Sequence, residues 1–493
     1  MTSVVEARSG FYQDSVTLMQ VSRRVSLVTG VEAALVAMAT ELNLDMLREM
    51  GFTVPTGTRP DDLVVAVRAV DQSSLALAQA ELEQALAATG AGEQRGRADV
   101  MPARTVLSAA RRRPATMALI SVPGPYAFLE AMDALEAGLN VMVFSDNVSL
   151  EHEVALKDEA RRRGLLVMGP DCGTAIIGGV GLGFANIVER GPVGIVAASG
   201  TGAQQLCCLL DHAGVGVSHV LGVGGRDLSA SVAGRSTLQA LEALDGDSAT
   251  EVIVVVSKPP DQATIEKVRT SAAALSTPVV MAPVGPGHRD LTEVAVDVAG
   301  RLGRPAGPWF RLDGPAEATP SGSLRGLYVG GTLCQEAMAV AMPVLGAIAS
   351  NVPFDPAWAL VDGAPWSGHV MVDFGDDRLT RGRAHPMIDP SLRLARLADA
   401  GADPSCSVVL LDVVLGYGAE DDPAAVLAPA IQRARRAAAG GGRDLAVVVS
   451  LCGTKSDIQG FDRQADALHR AGASVHLSNA DAARRAVALA KGV

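Results

Sequence analysis

Four segments of this chain join an apolar run to a glycine turn rich in hydroxyl or charged residues. The first is Ala197-Ala198-Ser199-Gly200-Thr201-Gly202, after the run Val193–Ala198 and before a helical pattern starting near Ala203. Glycine lets the backbone approach an anion, and the free N–H groups and dipole of a helix start attract phosphate. Ser199 and Thr201 add hydroxyl donors. The second is Gly222-Val223-Gly224-Gly225-Arg226-Asp227, where Arg226 is placed to clamp a carboxylate or phosphate. The third is Gly416-Tyr417-Gly418-Ala419-Glu420-Asp421-Asp422, and the fourth is Ser450-Leu451-Cys452-Gly453-Thr454-Lys455-Ser456-Asp457. A single turn of this kind serves as readily as plain structure. The pairing says more. Ser-Gly-Thr and Cys-Gly-Thr in equivalent positions of two α/β units would aim two helix N-termini at one anion.

A fifth segment, residues 373–390, packs charge, His385 and two prolines beyond an apolar strand. Asp376, Arg381, Arg383 and His385 together suit an anionic substrate. His385 is the candidate for acid–base work, with a structural loop histidine as the alternative. Cys452 at a helix start would have a lowered thiol pKa. A small residue in an anion clamp is the preferred reading, since no covalent thioester is needed. His212 and His219 read as structural.

Continuous Val/Ile/Leu/Ala runs must position these turns. They fall at Ala115–Val122, Asn140–Ser145, Leu165–Gly169, Val193–Ala198, Val217–Val223, Glu251–Ser257, Pro278–Val284, Gly368–Phe374, Ser407–Leu415, Leu445–Leu451 and Ala473–Ser478. Alternation with helical patterns such as Glu130–Ala137 and Leu150–Arg163 predicts parallel sheets covered on both faces. The expected fold class is α/β, with several doubly wound parallel-sheet domains in series plus a small N-terminal α+β domain. A single strand is expected in that N-terminal domain, at Asp62–Val70. The Pro- and Gly-rich segment Gly303–Ser323 reads as a linker. The expected domains are 1–113, 114–190, 191–302 and 324–493, with the linker at 303–323.

Composition excludes several classes. The 493 residues are 48% hydrophobic and 19% charged, enough for several cores and too apolar for a disordered chain. A net charge of −12 with scattered Arg, and 3% aromatic residues, argues against nucleic-acid binding. No run approaches the ~20 apolar residues of a membrane span, and Met1–Gly10 lacks a signal-peptide core. The six cysteines include no Cys-x-x-Cys pair, so no metal site is expected and the thiols read as reduced and cytoplasmic.

These segments carry a resemblance over nearly the whole chain. Thr116–Ile177 looks like the later half of the CoA-binding domain of the succinyl-CoA ligase alpha subunit, through Ile120-Ser-Val-Pro-Gly-Pro-Tyr126 and Met168-Gly-Pro-Asp-Cys-Gly173. Val193–Val284 resembles that subunit's ligase domain. Gly326–Val487 resembles the beta subunit's C-terminal domain, through Asp373-Phe-Gly375, Val414-Leu-Gly-Tyr-Gly418 and Cys452-Gly-Thr454. The fused order is that of the FdrA family, to which Tyr12-Gln-Asp-Ser-Val16, Gly330-Gly-Thr-Leu-Cys334 and His385-Pro-Met-Ile-Asp389 are also similar.

The resemblance implies that Ser199, Gly200, Thr201 and Gly202 face Cys452, Gly453 and Thr454 across one phosphate. The ligase's phosphorylated histidine has no counterpart: His288 comes too early and lacks the flanking motif. The ligase's partner glutamate is replaced around Ser257-Lys258-Pro259, and the ATP-grasp module is missing. The phosphate is therefore expected to arrive on the substrate, as an acyl or carbamoyl phosphate. Arg226, Lys258, Arg381 or Arg383 would orient carboxylates, beside Gly224, Gly225, Asp376, Gly416 and Gly418. FdrA relatives imply carbamoyl transfer between carbamoyl phosphate and oxamate, with separate partner subunits. The alternatives are an acyl-CoA synthetase subunit, for which CoA is a possible ligand, and a non-catalytic scaffold.

Overall fold

The computed structural model describes residues 2–11, 13, 15–88, 103–315, 322–361, 363, 365–380 and 385–492. Arg381, Arg383 and Tyr12 lie outside them. Two large parallel sheets dominate. The first runs Val279–Pro283, Val252–Ser257, Arg190–Ala197, Val217–Gly222, Thr174–Ile177, Val180–Gly183. Its first four strands are parallel, and the last two form an antiparallel hairpin at the edge. The hairpin turns on Gly178 and Gly179, both at positive φ, where a side chain would strain the backbone. The second sheet runs Arg311–Leu312, Ala473–His476, Ala446–Cys452, Cys406–Val414, Ser323–Tyr328, His369–Asp373, Ile348–Ala349. Only Arg311–Leu312 is antiparallel there.

Every residue of Cys406–Val414 and Ala446–Cys452 is buried, as a sheet covered on both faces requires. The two sheets share one hydrophobic core reaching from Ile195 to Val475. Helix Gly200–His212 runs through that core, with Leu206, Cys207, Cys208, Leu209 and Leu210 all buried. This explains why the helix shows no clean polar face in sequence. It also holds the two sheets in a fixed relation, which the site needs.

The doubly wound α/β class holds, and several details differ from expectation. Residues 2–88 form an α+β unit, yet with three antiparallel strands, Thr2–Arg8, Leu63–Ala69 and Val31–Met38 in that spatial order. The Arg-rich segment near 104–113 forms helix Val106–Arg112, whose Val106 and Ala110 pack on the core of the next unit. That unit has its own short parallel sheet, Met117–Ile120, Asn140–Val143 and Val167–Met168. The hairpin 174–183 joins the following sheet, so the sheet boundary precedes the expected break at 190. The expected linker contributes a strand, because Arg311–Leu312 pairs with Val475–His476.

Candidate functional site

The order of the first large sheet's parallel strands, from Val217–Gly222 through Arg190–Ala197 and Val252–Ser257 to Val279–Pro283, reverses direction beside Arg190–Ala197. The second sheet reverses in the same way beside Ser323–Tyr328. In open α/β sheets ligands bind at the carboxyl ends of strands next to this reversal. Each of the two strands ends in a glycine-threonine turn that starts a helix. Ser199 caps helix Gly200–His212, its Oγ accepting from Gly202 N at 3.1 Å. Gly330 precedes helix Gly331–Leu345 and has no side chain to cap it.

The two turns abut. Ser199 Oγ lies 2.5 Å from Thr332 Oγ1, a buried hydrogen bond between the sheets. A side-chain carbon at Gly330 would sit 3.0 Å from Thr201, and one at Gly202 would sit 3.1 Å from Thr332 Cγ2. A side chain at either glycine would press on the facing threonine, so glycine eases this approach. The result is a concave cradle of two helix N-termini, each with unsatisfied N–H groups and positive dipole ends.

Charged groups surround it. Lys258, exposed just after Val252–Ser257, and Asp373, at the end of His369–Asp373, both converge on Gly331. Asp373 is 5% exposed, and burial pushes its carboxyl up to about 7 against the pull of Lys258. His385 packs its ring against Phe184, 5.7 Å between centroids, and its Nδ1 accepts from Met387 N at 3.3 Å. Burial lowers the His385 imidazole to about 4. It is therefore neutral near pH 7, and its Nε2 carries the proton and faces Gly375. Asp376 takes Arg378 Nε at 2.9 Å. A cavity of about 1770 Å³ is lined by Ser199, Gly200, Thr201, Gly225, Arg226, Lys258, Gly331, Thr332, Asp373, Asp376 and His385. Its far wall comes from the N-terminal unit, including Arg23, which donates to Ile388 O and pairs with Glu420.

Several expected site residues lie elsewhere. Cys452, Gly453 and Thr454 do not start a helix; the next one begins at Phe461. Thr454 is buried, donating to Ile187 O at 2.6 Å while its N–H goes to Asp457 Oδ2 at 2.8 Å. Cys452 Sγ sits 3.8 Å from Cys208 Sγ behind helix Gly200–His212. The segment is a seam between the sheets, and the expected partner of Ser199–Gly202 is instead Gly330-Gly331-Thr332. Gly416 and Gly418, at positive φ, pack against Ala185 and Phe184 and do not line the cavity. Gly224 likewise abuts Gly169 and Pro170. Arg226 lines the cavity, but its guanidinium is already held by Val148 O and Glu153, both at 2.8 Å. His288 is exposed on the turn after Val279–Pro283 and is not among the cavity-lining residues.

Sequence reasoning missed Gly331, Thr332 and Asp373 as site groups. The repeated Gly-Thr string at 331–332 was the available signal. The strand before it was hidden by Arg325, a buried cation that Asp403 neutralises at 2.7 Å.

Comparison with known proteins agrees with this architecture. The Escherichia coli K12 protein YahF is 38% identical over 498 aligned residues, 96% of this chain and 95% of YahF. The chain belongs to the YahF family. Residues 327–489 match the family described as CoA-ligase, and residues 1–102 match one described as AllF, heavy metal-associated domain. The alpha 2 subunit of succinate–CoA ligase [ADP-forming] from Archaeoglobus fulgidus is 30% identical over 31% of this chain and 54% of that subunit. A solved dinucleotide-forming acetyl-coenzyme A synthetase from Ca. Korarchaeum cryptofilum is 15% identical, with a TM-score of 0.30, over 80% of this chain and 86% of that one. This YahF-family member thus carries succinate–CoA-ligase-like sequence on an α/β fold. Residues 1–102 contain no Cys and no His, so they offer a heavy metal no thiolate or imidazole ligand. No helix among the described residues is long and apolar enough to cross a membrane.

Proposed function

We propose that this chain is an FdrA-type subunit that handles an acyl phosphate, and that its reaction is carbamoyl transfer between carbamoyl phosphate and oxamate. The observation that carries the reading is the cradle of two abutting helix N-termini, in a cavity whose one lining histidine among the described residues, His385, packs on Phe184 with Nε2 towards Gly375. An enzyme that phosphorylates itself needs a phosphate carrier; one that receives the phosphate on its substrate does not.

In the reaction the amide nitrogen of oxamate attacks the carbonyl carbon. The carbon–oxygen bond to phosphate breaks, its electron pair goes to the phosphate oxygen, and the amide proton is released. The cradle N–H groups and the Thr201 hydroxyl stabilise the charge that grows on the leaving phosphate. Lys258 orients the oxamate carboxylate, with Arg226 at the edge of the cavity. Neutral His385 serves as a hydrogen-bond donor through Nε2 to the acyl oxygen. A group with a pKa of about 4 is a poor base at neutral pH. Separate subunits complete the enzyme and meet it in the cytoplasm.

The similarity to the succinate–CoA ligase alpha subunit favours one second reading, acid–thiol ligation with CoA and a separate ATP-using partner. One experiment separates the two. The protein, co-purified with the products of neighbouring genes, receives carbamoyl phosphate and oxamate, and separately ATP, CoA and short carboxylic acids. Oxamate-dependent phosphate release without ATP or CoA is expected. Thioester formation dependent on both would overturn the transfer reading.

A further inference from the structure

We propose that Asp373 carries a proton into the phosphate cradle, making anion binding proton-linked and supplying the proton that the departing phosphate takes up. This rests on the phosphate-cradle reading and deepens it by assigning the acid.

The carboxyl is fixed from both sides. Asp373 N donates to Asn351 Oδ1 at 2.9 Å, and Asn351 Nδ2 donates to Asp373 O at 2.8 Å. Its Oδ1 accepts from Gly375 N at 2.8 Å. Its Oδ2 accepts no hydrogen bond from a described residue, although the residue is only 5% exposed. That oxygen lies over Gly331, so close that a side chain there would collide with it, and Lys258 Nζ is 3.7 Å from the same point. A carboxylate oxygen open to the cavity at a helix start, with no hydrogen-bond donor among the described residues, is placed to meet a ligand.

The charge balance sets what that oxygen does. Among the described residues the titratable groups facing Asp373 are Lys258, Asp376, Asp412 and Cys334, with His385 across Gly375. Lys258 favours the ionised form; burial and the two carboxylates oppose it and prevail. A phosphate entering the cradle is a further anion at the same helix start. Two anions cannot share that position, so the carboxyl stays protonated and donates to a phosphate oxygen. During transfer the carbon–oxygen bond breaks with its electron pair on the phosphate oxygen. The Asp373 proton goes to that oxygen, the attacking group gives its proton to water, and Asp373 regains one from solvent.

Sulfate tests this, because it stays a dianion between about pH 6 and 8 while Asp373 titrates. Calorimetric titration of sulfate into the full chain is expected to show affinity falling by up to tenfold per pH unit above about 7, with uptake of close to one proton. Asp373→Asn is expected to bind with affinity independent of pH, and Thr201→Ala to bind more weakly with the slope retained. An unchanged slope in Asp373→Asn, or pH-independent binding without proton uptake by the unsubstituted chain, would overturn the inference while leaving the cradle intact. If Asp373→Asn fails to fold, proton uptake by the unsubstituted chain in two buffers of different ionisation enthalpy decides. Failure of the cradle reading looks different: neither sulfate nor phosphate binds at any pH, and this inference falls with it.

Discussion

Ser199 Oγ and Thr332 Oγ1, 133 residues apart in sequence, meet at 2.5 Å across the boundary between the two large sheets. That bond joins the starts of two helices at topologically equivalent positions. It therefore ties the geometry of the anion cradle to the packing of both sheets. Ser199→Ala removes both this bond and the cap on Gly202 N. We expect a loss of about 1 kcal/mol in stability, together with weaker phosphate binding. Denaturant unfolding and phosphate titration check the two effects separately.

Lys157 is the main counter-ion of the buried network behind the Gly224–Asp227 turn. Its Nζ contacts Glu153 Oε1 at 2.7 Å, Asp227 Oδ1 at 2.8 Å and Val223 O at 3.0 Å, and it is fully buried. Lys157→Met leaves two buried carboxylates without it. A destabilisation of ~3–5 kcal/mol is expected in urea unfolding. A loss below ~1 kcal/mol would show that the network does not hold this turn.

Gly416, a substrate-site candidate by its turn, is a packing residue instead. It sits at φ +114°, where a side chain would strain the backbone and strike Ala185. Gly416→Ala should lower stability by ~1–3 kcal/mol while the surviving folded protein binds phosphate as before. Thermal unfolding and phosphate titration of the same sample read out both.

Glu336 joins the two large sheets' helices, accepting from Leu291 N at 2.7 Å and Asn479 Nδ2 at 2.8 Å. Burial pushes its carboxyl up to about 7 from an ordinary value of 4.5. The folded state thus favours the protonated form. The stability this residue contributes is complete below pH 4.5 and is lost as the pH rises through about 7. Glu336→Gln is expected to flatten part of the decline in unfolding free energy between those values. An identical pH profile in the variant would contradict the assignment.

Much of this fold was legible because parallel strands buried on both faces read as unbroken apolar runs. All eleven expected runs contain strands, from Met117–Ile120 to Ala473–His476. The missed strands have physical reasons. Val180–Gly183 is half glycine, and Thr174–Ile177 is only four residues long. Ser323–Tyr328 carries the buried Arg325, whose charge is compensated by a residue 78 positions away. That last omission misdirected the site. Without a strand before it, Gly330-Gly331-Thr332 read only as a family string, and Cys452-Gly453-Thr454 took its place. The expected pairing joins Ser199–Gly202 to Cys452–Thr454, whereas the structure joins it to Gly330–Thr332.

The most direct test of the cradle compares inorganic phosphate affinity in Thr201→Ala, Gly331→Ala and Thr454→Ala by calorimetry. Thr201 and Gly331 line the cavity, whereas Thr454 is spent on Ile187. The account predicts that Thr201→Ala and Gly331→Ala weaken binding tenfold or more, about 1.4 kcal/mol each, and that Thr454→Ala binds within about twofold of the unsubstituted chain. Equal loss in Thr454→Ala, or full affinity in the other two, would contradict it.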